Sequence, residues 1–155
     1  MNKLYSYVLI CAMIIMSSCD SDNTSVTPAA GNIDLSLGTD TNCSSSHSNV
    51  GATGSFSTLD HGVSGTLTVI DDCTIQITGF NYDGGGPQVY FYAGSDGNYQ
   101  NSNAFRFSKL LTGTSYSNDT ITLVIPSTKS LDDFDSLSVW CVDFNANFGD
   151  IDFVP

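Results

Sequence analysis

At 155 residues the chain has room for a single domain. Its 16 acidic residues against 4 basic ones give a net charge of -12, which repels a phosphate backbone and argues against nucleic acid as a partner. Every acidic residue is Asp, which disfavours helix interiors, and charged residues make up only 13% beside 41% hydrophobic. This is the composition of an extracytoplasmic β protein rather than a cytosolic helical one.

The chain opens with the features of an export signal. A positive end at Met1 to Lys3 precedes the apolar run Val8 to Met16, too short to span a bilayer and of the right length for a signal-peptide core. Met16-Ser17-Ser18-Cys19 follows, and small residues directly before a cysteine resemble the bacterial lipobox. Residues 1–18 are therefore expected to be a lipoprotein signal peptide. Cys19 is expected to carry the lipid that anchors the protein to a membrane, in the cell envelope, with the outer membrane or cell surface favoured. Residues 19–55, rich in Ser, Thr, Asn, Gly and Ala, read as a lipidated flexible tether, relieved only by the alternating stretch Ile33 to Leu37.

From Phe56 onward short runs of β-branched and aromatic residues alternate with polar ones. Val63 to Val69, Thr74 to Thr78, Val89 to Tyr92, Thr120 to Ile125, Leu137 to Val142 and Asp150 to Phe153 each read as a half-buried strand. Asp71-Asp72, Asp83 to Pro87, Ser95 to Asn98 and Ser117 to Asp119 supply the turns between them. No segment carries a helical apolar stripe. The prediction for 56–155 is an all-β domain, an antiparallel β-sandwich or flattened barrel of about seven strands.

Cysteine arithmetic narrows the chemistry. Cys11 leaves with the signal peptide and Cys19 takes the lipid, so Cys43, Cys73 and Cys141 remain, an odd number in an oxidising compartment. Cys43 in the tether and Cys73 at a turn are the expected disulfide pair, both read as exposed. Cys141 is then the single thiol. It shares strand parity with Leu137 and Val139, so it is either a small core residue or a reactive group. His61, ahead of the first strong strand, is the candidate ligand histidine, whereas His47 lies in the tether. No metal site of ordered spacing is present. Asp132, Asp133 and Asp135 crowd one loop, with Asp83 or Asp96 as further carboxylates, but without the spacing of a calcium loop. Tyr82 to Pro87 lacks the Lys and the following helix of a phosphate loop and reads as a tight turn capped by Asp83.

Three segments in order carry a family resemblance: His61-Gly62-Val63-Ser64-Gly65-Thr66; Phe80 to Pro87 followed by Val89 to Tyr92; and Leu137-Ser138-Val139-Trp140-Cys141-Val142-Asp143-Phe144 ending at Phe148-Gly149. Together they resemble the DM-thirteen domain, found beside DOMON domains in animal proteins and alone in bacteria. The resemblance covers about residues 56 to 155. It implies a β-rich domain serving electron transfer, in which the motif cysteine, here Cys141, works as a bare thiol or as a ligand to a group such as haem. Trp140, Phe144 and Phe148 are expected to screen that sulfur, with His61 or Asp83 tuning its proton and a separate redox protein as partner. The alternative is a non-catalytic carbohydrate- or protein-binding domain, with Tyr82, Tyr90, Tyr92 and Tyr99 exposed as stacking surfaces.

Overall fold

The computed structural model describes residues 31–39 and 42–153. The expected signal peptide, the expected lipid site Cys19 and the start of the expected tether lie outside the described residues. Nine strands run in chain order: β1 (Asn32–Asp34), β2 (Thr53–Ser55), β3 (Ser64–Val69), β4 (Thr74–Tyr82), β5 (Val89–Gly94), β6 (Phe105–Arg106), β7 (Tyr116–Val124), β8 (Ser136–Cys141) and β9 (Ala146–Asp152). They form two sheets, ordered β1-β7-β4-β3-β2 and β6-β5-β8-β9. The architecture is thus a β-sandwich, not a closed barrel. All pairings are antiparallel except β1 with β7, which is parallel.

The alternating runs become strands because one face of each has a core to enter. Leu67 and Val69 of β3, Ile75 and Ile77 of β4, and Ile121 and Leu123 of β7 are all fully buried. Phe91 and Val89 of β5 meet them from the opposite sheet, and Leu137, Val139 and Cys141 of β8 complete the layer. An aromatic cluster joins the two sheets: Phe80 of β4 lies with its ring centroid 5.1 Å from Phe91 of β5 and 5.2 Å from Tyr116 of β7.

The expected all-β sandwich forms, with nine strands among the described residues once β1, β2 and β6, of only two or three residues each, are included. The ordered domain also begins well before residue 56. Ile33 pairs with Ile121, Leu35 and Ser36 are buried, and Ser36 Oγ accepts the Val124 N–H at 2.8 Å. The stretch 42–55 is likewise built into the sandwich, with Gly51 N–H bonded to the Val69 carbonyl at 2.9 Å and β2 laid along β3. These polar residues order because an exposed sheet edge offers them backbone partners, a gain that does not depend on side-chain hydrophobicity.

Candidate functional site

Four ladder irregularities fall at one end of the sandwich: between Ser64 and Thr66 of β3, between Ile77 and Phe80 and between Phe80 and Tyr82 of β4, and between Val139 and Trp140 of β8. Bulges of this kind turn side chains away from the regular pleat. Here they surround the end where Tyr82, Cys141 and Phe148 meet the loop carrying His61.

His61 sits in the left-handed region at φ 52, followed by Gly62 at φ 67. This uncommon conformation for a residue with a side chain folds the imidazole back onto Phe148, centroids 4.2 Å apart. The loop is pinned to β9, because Leu59 and Asp60 both donate backbone N–H groups to the Phe148 carbonyl. On its other side His61 Nδ1 meets both Asp83 carboxylate oxygens, at 2.9 and 3.0 Å. A carboxylate can only accept, so Nδ1 carries the proton, and in the neutral ring the lone pair lies on Nε2.

Asp83 also caps its own turn, accepting the Gly85 N–H at 2.7 Å. That bond first, and His61 second, hold the carboxyl below its ordinary value of 3.8. A depressed carboxylate stabilises the folded loop above the unfolded value and loses that effect as pH falls through the folded one. The protection of the Gly85 amide against hydrogen exchange should therefore be flat from neutrality down to about pH 4 and decline below it. Asp83→Asn should remove that acid dependence, and an unchanged profile in the variant would contradict the assignment.

Tyr82 lies inside this turn, 2% exposed, its hydroxyl donating to the Gly85 carbonyl. Burial, then the charge of Asp83, then Cys141, push its phenol far above the ordinary range. Cys141 of β8 belongs to the same buried cluster as Tyr82. The thiol itself is fully buried, and it is the free cysteine among the described residues. Its backbone is flanked by Val89 of β5 and Ala146 of β9. Packing beside it is tight: a Cβ at Gly86 would meet Val89 Cγ2 at 2.9 Å and the Phe148 ring at 3.0 Å.

This closeness bears on haem. A thiolate ligand needs one open side for the iron and a flat cavity for the porphyrin, whereas Cys141 has no exposed surface. The residues around it do not fit the group.

The structure thus brings Cys141, Tyr82, His61, Asp83 and Phe148 to one end, but not the other expected screening residues. Trp140 neighbours Cys141 in sequence and so points to the opposite face of β8, where it packs on Tyr99 with centroids 5.6 Å apart. Phe144 sits in the β8–β9 turn, 73% exposed, and shields nothing. The stacking-surface reading also loses support, because Tyr82 and Tyr99 are buried, leaving Tyr90 and Tyr92 half-buried.

Cys43 and Cys73 form a disulfide with Cα atoms 5.4 Å apart. Cys43 is exposed but Cys73 is buried, contrary to expectation, because the bond and the 42–50 segment cover it. Asp71 and Asp72 lie beside the two sulfurs, which as a disulfide offer no thiolate to a metal. The length of β4 separates this bond from Tyr82, about 30 Å at the rise of an extended strand, so it cannot exchange directly with Cys141.

The profile of the family described as "Electron transfer DM13" matches residues 55–153. Protein Skeletor, isoforms B/C, of Drosophila melanogaster is 41% identical over 107 residues, covering 66% of this chain and 14% of that protein. Isoforms D/E show the same identity over the same length, with 7% of that protein covered. The chain therefore corresponds to a small part of these relatives, and no solved structure matches it significantly. With the family profile matching residues 55–153, more than half of the chain, the chain belongs to the electron transfer DM13 family.

Proposed function

We propose that the chain is a bacterial lipoprotein anchored to a membrane through Cys19, and that its DM13 domain carries reducing equivalents outside the cytoplasm on Cys141. The anchoring half rests on the apolar run and the Ser17-Ser18-Cys19 motif. The redox half rests on one observation: the motif cysteine is a free thiol buried in the same core cluster as Tyr82, whose glycine-rich turn is fastened by His61 and Asp83. A separate redox protein would be its partner.

With a peroxide as oxidant the step balances as follows. The Cys141 sulfur attacks one peroxide oxygen, the O–O bond breaks, a sulfenic acid forms, and the departing hydroxide takes up the thiol proton as water. A partner dithiol then reduces it. The first thiol condenses with the sulfenic acid, releasing water and leaving a mixed disulfide. The second displaces Cys141 as thiol and closes the partner's own disulfide. Two electrons pass from dithiol to peroxide. Because the sulfur is buried, each encounter waits on local opening of the turn, which sets the rate.

The test is native-state alkylation of Cys141 and trapping of its sulfenic acid after peroxide, read by mass spectrometry. The wild-type chain should react slowly. His61→Ala, which unfastens the turn, should react roughly ten-fold faster, the effect of about 1.4 kcal/mol less resistance to opening. Cys141→Ser should give no adduct. A thiol that stays unmodified in both folded proteins and reacts only after denaturation would reject Cys141 as the redox group.

A further inference from the structure

The Cys43–Cys73 disulfide lies at the start of β4, the far end of that strand from Tyr82, and two carboxylates stand against it. The ligating atoms of Cys43, Asp71, Asp72 and Cys73 all lie within 4.8 Å of one another. Asp72 Oδ1 is 3.5 Å from Cys73 Sγ. These side chains come from two segments, one before β2 and one in the β3–β4 turn, so their convergence is a product of the fold. Cys43 is exposed, Asp71 and Asp72 are half-buried and Cys73 is buried, so solvent reaches the group past Cys43.

Hydrogen bonds hold the two segments together independently of the sulfurs. Ser44 N–H donates to Asp72 Oδ1 at 2.6 Å, and Asp72 N–H donates to the Ser44 carbonyl at 2.9 Å. Cys73 N–H donates to Asp71 Oδ1 at 2.9 Å, and Ile125 N–H donates to the Cys73 carbonyl at 2.7 Å. The four side chains therefore stay neighbours when the S–S bond opens. A carboxylate has two oxygens with several lone pairs, so a bond to one N–H leaves it able to ligate. On a tetrahedral zinc, with Zn–S about 2.3 Å, two thiolates stand roughly 3.8 Å apart, and carboxylate oxygens lie about 2.0–2.2 Å from the ion. With the cysteine Cα atoms 5.4 Å apart, side-chain rotation alone reaches that spacing.

We propose that reduction converts this disulfide into a zinc site, with Cys43 and Cys73 as thiolate ligands and one oxygen each from Asp71 and Asp72. A dithiol opens the bond: its first thiolate attacks one sulfur and forms a mixed disulfide, and its second closes the reductant's own disulfide. Two electrons pass to the pair, leaving a thiol on each cysteine. Zinc then binds and releases both thiol protons to solvent. Exchange with an oxidised dithiol runs the sequence backward and frees the ion. Two thiolates and two carboxylates suit zinc, whereas calcium and magnesium take oxygen donors. In either state the 42–50 segment stays stapled to the β3–β4 turn. The proposal does not depend on the redox reading of Cys141.

The experiment uses the full chain, either oxidised or reduced with a water-soluble phosphine, which becomes its oxide with oxygen from water. Cobalt(II) chloride is the spectroscopic probe, followed by zinc chloride. The reduced chain should bind one cobalt with thiolate-to-metal charge-transfer and tetrahedral absorption bands, and zinc should abolish both. The oxidised chain, and the reduced Cys43→Ala/Cys73→Ala variant, should show neither band. Zinc at about a hundred times its Kd should raise the melting temperature of the reduced chain by roughly 10 °C over chelator. Asp71→Asn with Asp72→Asn should keep the thiolate band but bind about ten-fold or more weakly, whereas Asp119→Asn, on β7, should bind like wild type. Absence of the bands in the reduced chain, equal bands without Cys43 and Cys73, equal affinity in the Asp71/Asp72 variant, or an equal melting shift with calcium would each overturn the site. Should the reduced chain unfold in chelator, zinc should refold it as read by Trp140 fluorescence, and failure to refold would equally overturn it.

Discussion

Replacement of Phe80 by alanine is expected to lower the unfolding free energy by about 3–5 kcal/mol, the range for deleting a fully buried aromatic ring. Phe80 is 0% exposed on β4, and its ring meets Phe56 at 6.2 Å, Phe91 at 5.1 Å, Tyr116 at 5.2 Å and Tyr82 at 6.5 Å. Phe91 belongs to the other sheet, so the lost ring is the one that seats the two layers on each other. A domain of this size holds about 5–15 kcal/mol in total, so the variant should approach the threshold of folding. Urea unfolding followed by Trp140 fluorescence measures the change. A loss under about 1 kcal/mol would mean that the neighbouring rings collapse into the space and that Phe80 is not the joint between the sheets. Phe80→Leu, which keeps much of the volume, should recover a large part of the stability.

The second large effect is on the disulfide. Removing it, as Cys43→Ala with Cys73→Ala, should cost about 3–4 kcal/mol on the chain-entropy account, given the sequence separation of 30 residues. The bond closes a loop containing β2 and β3, and paired bonds beside it, Ser44 N–H to Asp72 Oδ1 and Asp72 N–H to the Ser44 carbonyl, hold the 42–50 segment down. The measurement is the shift in urea midpoint between the double variant and the wild type under non-reducing conditions. No shift would mean that the backbone contacts of this segment suffice without the bond. The sandwich should survive the substitution, since its core residues are untouched, but its fraying edge at β2 should exchange amide protons first.

Legibility varied with the length of the element. The strands β3, β4, β5, β7, β8 and β9 were visible because each carries enough alternating residues to show its period. The strands β1, β2 and β6 carry two or three residues, too few for a period, and they form only because β7, β3 and β5 present open edges. The parity of Cys141 with Leu137 and Val139 left it open between a core position and a reactive group, and the structure buries it. The disulfide pair was expected because Cys43 and Cys73 both read as exposed, which holds for Cys43 but not for Cys73. The exposure of Tyr82 and Tyr99 was misread because both tyrosines are covered by loops, the Gly85 turn in one case and residues 95–98 in the other. Loop coverage leaves no periodic trace in the chain. The same cause hid the second face of β8, where Ser136 and Ser138 are fully buried despite their polarity.

Local patterning alone determined that this is an acidic, all-β chain, with one disulfide and one free thiol among the described residues, because alternation and turn residues are properties of neighbours along the backbone. Tertiary structure decided which side chains meet: His61 turned back onto Phe148 and bonded to Asp83, Phe80 of one sheet on Phe91 of the other, and Trp140 on Tyr99. Those meetings depend on strand register and on how two twisted sheets face each other, and a linear order of residues does not encode such distances directly.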